Sequence, residues 1–242
     1  MFIWFLFGIC VGSFLNVIIY RLDTSIFFGK SICPKCKSKI KWYDLIPILS
    51  FFILCGKCRS CKVKISLRYP FIELLCGLLA MICVYKFSFT LNAFAVFLFL
   101  CCLVAIFFVD IDKMIIPDSL ILFLIFLAVI FTFIFDNVDF ISRCIGFFSI
   151  SSFMLALNFF VKESFGFGDV KLIAVCGYIL GLQNILLAFF ISLITASLFS
   201  IFLIITKKKS LKDYIPFGPH ICFGVTLSFF CGIDIINWYL FL

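Results

Sequence analysis

Four cysteines between residues 33 and 61 fall into two C-x-x-C pairs, Cys33-Pro-Lys-Cys36 and, after 21 intervening residues, Cys58-Arg-Ser-Cys61. Each pair can present two thiolates from one tight turn, and two pairs close a tetrahedral sulfur shell of the kind that holds structural zinc. Four sulfurs leave zinc no open position for a catalytic water, so such a centre organises a loop instead of doing chemistry. The competing reading is a pair of disulfides, which a reducing compartment disfavours. Cys55 offers an alternative knuckle, Cys55-x-x-Cys58. The remaining nine cysteines (10, 76, 83, 101, 102, 144, 176, 222 and 231) sit in apolar stretches, where cysteine behaves as a small hydrophobe.

The acids are as informative as the thiols. Only 12 Asp and Glu occur in 242 residues, and five of them gather in two short polar breaks: Asp110, Asp112 and Asp118 in one, Glu163 and Asp169 in the other. The first break reads Val109-Asp-Ile-Asp-Lys-Met-Ile-Ile-Pro-Asp118, and the second contains Gly166-Phe-Gly-Asp-Val-Lys171. A carboxylate at membrane depth is costly unless paired, hydrated or neutralised, and so marks function. Two carboxylates brought together cannot both ionise cheaply; one keeps a proton while the other activates water, as in an aspartic protease. Gly166 and Gly168 would let an extended substrate lie beside Asp169. The same aspartates would also serve as ordinary interfacial charges or helix caps. Other hydrolytic machinery fails on inventory: His220 is the only histidine, which excludes an HExxH zinc site and suggests no His–Ser or His–Cys pair. Within Pro216-Phe-Gly-Pro-His220 it reads as an interfacial residue.

The elements that must carry these residues are membrane helices. Hydrophobic residues make up 65% of the chain, charged residues 13%, and the mean hydropathy is +1.30. That leaves too little polar surface to coat a soluble globule, whose composition is about 25% charged. Met1–Tyr20 lacks the basic n-region and small-residue cleavage site of a signal peptide and reads as a first transmembrane helix. Seven further apolar stretches follow, near 71–88, 91–109, 119–135, 140–160, 170–186, 187–206 and 220–240, each long enough for a hydrocarbon core of about 30 Å. The expected fold is therefore an all-α polytopic membrane protein of about eight transmembrane helices. Its parts are a first helix over 1–20, a four-cysteine zinc-binding loop over 21–70 and a seven-helix region over 71–242, with no internal repeat.

Charge sets the orientation. Residues 21–68 hold eleven Lys and Arg against Asp23 and Asp44, an excess of +9 in a protein whose net charge is +8. A basic block can mark a nucleic-acid partner, but between two membrane spans it is the ordinary signature of a cytoplasmic loop. No nucleic acid is implied. Alternate threading then places 110–118, 161–169 and 207–219 on the same cytoplasmic side, with Lys113, Lys162 and the Lys207-Lys-Lys209 run. The opposite connections, around 89–90, 136–139 and 181–185, carry no Lys or Arg; only Lys86 and Arg143 lie near that outer side.

With these features together, the sequence resembles the type IV prepilin peptidase family (prepilin leader peptidases and N-methyltransferases) almost from end to end. The resemblance rests on Gly12-Ser-Phe-Leu-Asn16 with Tyr20-Arg21, and on two cysteine knuckles enclosing Trp42-Tyr-Asp-Leu-Ile-Pro47. It continues through Ile65-Ser-Leu-Arg-Tyr-Pro-Phe-Ile-Glu73, the Asp-x-Asp-(x)4-Pro-Asp segment, Gly-x-Gly-Asp and Ile215-Pro-Phe-Gly-Pro219. It implies an intramembrane aspartic endopeptidase of the bacterial cytoplasmic membrane. Such an enzyme removes the basic leader from prepilins and pilin-like proteins after a Gly and usually before a Phe.

Asp110 and Asp169 match the family's catalytic positions, Asp110 standing eight residues before Asp118 as the pattern requires. Asp112, Asp118, Gly166 and Gly168 become supporting residues. The resemblance also implies methylation of the new N-terminal amine with S-adenosylmethionine as donor, Gly56, Lys57, Arg68 and Glu73 being the matching candidates for its contacts; no Gly-rich Rossmann turn is present. Two departures from the family pattern stand out: residues 21–32 are short, lacking an insertion seen in larger members, and Cys55 is extra. The alternatives are a peptidase without methyltransferase activity, or a zinc-sensing or ion-transporting membrane protein; the latter would more naturally place its ionisable groups in mid-span.

Overall fold

The structure is a computed structural model describing residues 1–22, 31–135, 138–161, 165–207 and 214–240. Among these residues it is all-helical, with no strand beyond two isolated bridges, Ile32 with Lys39 and Lys57 with Lys64. Six helices are long and apolar enough to cross a membrane: α1 (Phe2–Arg21), α3 (Arg68–Phe87), α4 (Leu91–Lys113), α6 (Phe140–Phe160), α8 (Leu182–Ile205) and α9 (Gly218–Leu240). Two more apolar helices are shorter, α5 (Asp118–Ile134) with 17 residues and α7 (Phe167–Leu180) with 14. The chain is a multi-pass membrane protein. It divides into two compact units, Met1–Cys101 and Cys102–Leu242.

In the first unit α1 and α3 form an antiparallel pair. Gly8 and Gly12 of α1 lie one turn apart, and a Cβ on them would stand 2.6 Å from the Cys76 carbonyl oxygen and 2.8 Å from Glu73 Cα. Only glycine permits that backbone approach, the GxxxG device by which apolar helices associate without a hydrophobic driving force. One turn further on, Asn16 Nδ2 donates to the Tyr69 carbonyl at 3.1 Å. The pairing brings Arg21 and Arg68 to the same end, and the chain between them forms the cysteine loop. That loop contains a 3-10 turn (Trp42–Leu45) and a short helix, α2 (Leu49–Ile53).

In the second unit α7 is the central helix. Val170, Leu172 to Gly177, Ile179 and Leu180 are all buried, against α5, α6, α8 and α9. Contact with α6 is glycine on glycine: a Cβ on Gly146 would meet the Gly177 carbonyl oxygen at 2.5 Å, and a Cβ on Gly177 would meet that of Gly146. One turn from Gly146 lies Arg143, 1% exposed. Its Nη2 donates to Phe135 O at 2.6 Å and Phe131 O at 3.4 Å, its Nη1 to Tyr178 O and Ile179 O at 3.4 Å, and its Nε to Val138 O at 3.2 Å. The guanidinium thus gathers carbonyls that end α5 and α7, that of Phe131 also accepting from Phe135 N–H at 3.0 Å, where the negative poles of both helices favour a cation.

Each expected apolar stretch coincides with a helix, but only six of the eight are long and apolar enough to cross a membrane, α4 runs on to Lys113, and α7 differs in extent. Instead of continuing to 186, α7 stops at Leu180, and α8 begins at Leu182 after a single residue, Gly181, at φ +77°. Hydropathy is continuous through Ile179-Leu-Gly-Leu182, so only the left-handed glycine marks the turn. The absence of a repeat also needs correction on a small scale. Both knuckles read C-x-x-C-K-x-K-I, and both fold alike. Cys33 N donates to Ser38 O at 3.0 Å as Cys58 N does to Val63 O at 2.8 Å, and Lys37 N to Cys33 O at 2.9 Å as Lys62 N to Cys58 O at 3.0 Å.

Candidate active site and cysteine centre

Asp110 and Asp169 converge in the second unit from two helix ends. Asp110 is in the last full turn of α4, which runs on to Lys113 instead of ending at the aspartate, and its side chain is buried at 5% exposure. Asp169 is in the first turn of α7 and half-buried. They are close enough for the charge on Asp110 to act on Asp169.

Each carboxylate is held by a glycine amide. Gly218 N–H donates to Asp110 Oδ2 at 3.0 Å. Gly218 opens α9, followed by Pro219, so its amide is one of the unsatisfied donors at a helix N-terminus, and Asp110 caps α9 from another helix. A Cβ at 218 would stand 2.6 Å from that same oxygen, so glycine is required for the carboxylate to lie there. Gly166 N–H donates to Asp169, in the manner of a capping box, where a carboxylate inside the first turn reaches back to the preceding amide. Gly168 packs on Ile116, where a Cβ would come within 3.0 Å of Ile116 Cβ. The Gly-x-Gly-Asp turn thus rests on the segment joining α4 to α5.

The supporting aspartates are more exposed. Asp118 Oδ1 accepts from Lys171 Nζ at 2.7 Å at the start of α5 and α7, and Asp112 is exposed. An apolar cavity of about 590 Å³ between α5, α6 and α7 has Asp118, Lys171 and Val170 in its lining, together with Ser151 and Ser152. Glu163 and Lys162, and likewise Lys208, Lys209 and Lys212, lie outside the described residues. His220 sits in the first turn of α9 with its ring 5.6 Å from that of Phe199. Gly218 and Lys171 are the site residues that a reading of the residues alone leaves without a role. The Gly218-Pro219 pair, a helix-start signature with free amides, was the available signal for the first.

In the first unit the Sγ atoms of Cys33, Cys36, Cys58 and Cys61 all lie within 4.8 Å of one another and could hold a metal ion. The Ser38 hydroxyl, 2.9 Å from Cys36 Sγ, and then the Ser38 amide draw the Cys36 thiol down to about 6. The amides of Cys61 and Ser60 lower Cys58. The thiolate, the ligand form, is thereby favoured at these two positions, while desolvation and the neighbouring sulfurs push Cys61 up to about 11. Cys55 is exposed, at φ +49° in the turn that ends α2. Gly56 follows at φ +64°, its carbonyl accepting from Ile65 N–H at 2.7 Å, and Lys57 forms the bridge with Lys64. Arg68 opens α3. Glu73, one turn on and 8% exposed, accepts from Ile48 N–H at 2.7 Å.

Comparison with known proteins follows the same two-part layout. A profile described as the bacterial peptidase A24 N-terminal domain matches residues 6–87, and one described as the type IV leader peptidase family matches residues 97–201. The chain is 33% identical to a prepilin leader peptidase/N-methyltransferase of Legionella pneumophila, over 97% of this chain and 92% of the relative. A protein of the same name from Bacillus subtilis (strain 168) is 31% identical over 98% of this chain and 97% of its own length. One from Myxococcus xanthus (strain DK1622) is 38% identical over 72% of this chain and 54% of the relative. The Legionella alignment extends over 268 positions against 242 residues here, so that relative carries segments this chain lacks; the Bacillus alignment extends over 240. No solved structure matches. Extended over nearly the whole chain, this likeness establishes that the protein belongs to the type IV leader peptidase family.

Proposed function

We propose that the chain is a bifunctional prepilin peptidase. It cleaves the basic leader from prepilins and pilin-like proteins at the cytoplasmic face of the bacterial inner membrane, after Gly and usually before Phe, and then methylates the new N-terminus. The carrying observation is the approach of Asp110 and Asp169 at two helix ends, each oriented by a glycine amide. In this reading the pair shares one proton. The ionised member takes a proton from water as the water oxygen adds to the scissile carbonyl carbon, and the protonated member gives its proton to the carbonyl oxygen. Collapse of the tetrahedral adduct returns a proton to the leaving nitrogen and breaks the C–N bond. Gly218 N–H occupies one Asp110 oxygen and leaves the other for water. The cavity beside Asp118 and Val170 is where the apolar helix of the substrate would lie, its basic leader turned toward Asp112 and Asp118.

The cysteine centre is proposed to hold one structural zinc. Tetrahedral bonds of about 2.3 Å give sulfur–sulfur edges of about 3.8 Å, and Cys33 Sγ stands 3.8 Å from Cys61 Sγ. Cys33→Ser and Cys58→Ser variants are each expected to lose the metal, zinc content by mass spectrometry of the purified full chain falling from about one per chain to near zero. Full zinc retention in both would remove the assignment.

For the methyl donor, Glu73 is the chemical match on the loop side. A carboxylate has about four lone-pair sites, so one that accepts from Ile48 N–H can also take the ammonium of S-adenosylmethionine, with Lys57 or Arg68 suited to its carboxylate and the Gly56 turn to close approach. Bound there, the donor would supply an electrophilic methyl group to the neutral amine.

The test is a prepilin-like peptide with a basic leader, a Gly-Phe junction and an apolar helix, incubated in detergent with the full chain and S-adenosylmethionine. Mass spectrometry is expected to show the shortened product carrying one added methyl. A cleaved but unmethylated product identifies a peptidase without methyltransferase activity, and failure of the folded chain to cut several such substrates returns attention to the ion-transport alternative.

A further inference from the structure

The cysteine loop displays apolar side chains that an aqueous loop has no use for. Within Trp42 to Ile53, Trp42 is 78% exposed, Leu49 60%, Phe52 69% and Ile53 71%. Leu49, Phe52 and Ile53 share one face of α2 at i, i+3 and i+4, and an exposed apolar face of this kind marks an interaction surface. Two further observations identify what covers it. The first is depth. Ile48, immediately before α2, donates its amide to Glu73 Oε2 at 2.7 Å. Glu73 lies five residues after the first residue of α3, a membrane-crossing helix, so Ile48 reaches about 7–8 Å along that helix from its start. Ile48 does so at φ +61°, a conformation a β-branched residue adopts only when held there. The segment that presents Leu49, Phe52 and Ile53 is therefore pinned at the level of the helix's second turn, below the plane where the helix begins.

The second observation is charge. Residues 31–67 carry Lys35, Lys37, Lys39, Lys41, Lys57, Arg59, Lys62 and Lys64 against one acid, Asp44. That acid is neutralised by a two-pronged contact with Arg59, at 2.6 and 2.9 Å. Apolar and aromatic side chains at interfacial depth with cations around them match the headgroup and upper acyl region of an anionic bilayer.

We infer that Trp42–Ile53 is an in-plane membrane anchor: Leu49, Phe52 and Ile53 lie among acyl chains, Trp42 lies at headgroup level, and the knuckle lysines face anionic headgroups. The cysteine unit is thereby seated on the bilayer instead of hanging in water from its two ends.

The test uses the full chain with Trp42 as the sole tryptophan (Trp4→Phe, Trp238→Phe), and a second version with the reporter moved deeper (Trp42→Phe, Phe52→Trp). Both are reconstituted in vesicles of phosphatidylcholine and phosphatidylglycerol, with and without acyl chains brominated near the headgroup. Brominated lipid is expected to quench both reporters by about twofold or more, position 52 more strongly, while aqueous acrylamide quenches position 52 little. Efficient acrylamide quenching without bromine quenching at position 52 would place the segment in water. Protection from both quenchers would mean that protein, a second copy or another part of the chain, covers it. Either result overturns the anchor. Bromine quenching that is unchanged when phosphatidylglycerol is omitted would overturn the headgroup half. Retained zinc content in both versions shows that the loop is folded during the measurement.

Discussion

Asp110→Asn and Asp169→Asn will each lower prepilin cleavage by about 10⁴-fold or more, the scale seen when one member of a catalytic set is disabled. Their specificity as tests comes from what they preserve. Asparagine keeps a side-chain oxygen, so Gly218 N–H retains its acceptor at position 110 and Gly166 N–H its acceptor at position 169. Folding stability should therefore change by no more than about 1–2 kcal/mol, the worth of a hydrogen bond whose acceptor loses its charge. The measurement is single-turnover cleavage beside a thermal melt of the same preparation. Asp118→Asn is the contrast: it loosens an exposed ion pair with Lys171, a class of contact worth about 0–1 kcal/mol, and should leave cleavage within about tenfold of wild type. Cleavage surviving in Asp110→Asn but lost in Asp112→Asn or Asp118→Asn would move the catalytic assignment along the same segment.

The second large effect falls far from the aspartates. Arg143→Met will destabilise the protein by about 3–5 kcal/mol, since several buried carbonyls lose their charged donor at about 1–3 kcal/mol for each left unsatisfied. Methionine fills much of the volume but donates nothing, so the carbonyls of Phe131, Phe135, Tyr178 and Ile179 lose the guanidinium that gathers them. Lysine in its place keeps the charge but cannot fork toward two helix ends, and Arg143→Lys should recover only part of the loss. A melting temperature in detergent decides between these expectations. A melt for Arg143→Met within a degree or two of wild type would show that the two helix ends do not depend on the clasp.

What could be read without coordinates was set by how local each signal is. The cysteine knuckles are complete within six residues apiece, and their spacing carries the chemistry. Helix positions followed from apolar runs, because a bilayer imposes a length that composition reveals. The error lies where a single backbone angle decides: the polar break after Gly181 was legible as a connection, but not that this one residue ends α7 and starts α8. Tertiary partnerships were not legible from the residues themselves. Nothing local in Asp110 announces that a glycine 108 residues away completes it, and Arg143, read only as a stray charge near the outer end of a span, gathers the ends of two helices. Ile215-Pro-Phe-Gly-Pro219 was visible as a motif, but its purpose requires knowing that α9 begins beside the end of α4.

The brevity of α7 has a consequence for the reaction itself. Fourteen residues of helix extend about 21 Å, some 9 Å less than the hydrocarbon thickness. One end is fixed, since Gly181 turns directly into α8 and Arg143 holds the carbonyls of Tyr178 and Ile179. Under the proposed function a span this short would set its Asp169 end below the level that the longer helices reach, and the bilayer would thin to meet it. Hydrolysis consumes a water molecule at a bond beside an apolar helix, a place from which water is normally absent. Under the proposed function a truncated helix brings it nearer by lowering the shoreline, so that the half-buried Asp169 lies closer to solvent than a full-length span would hold it.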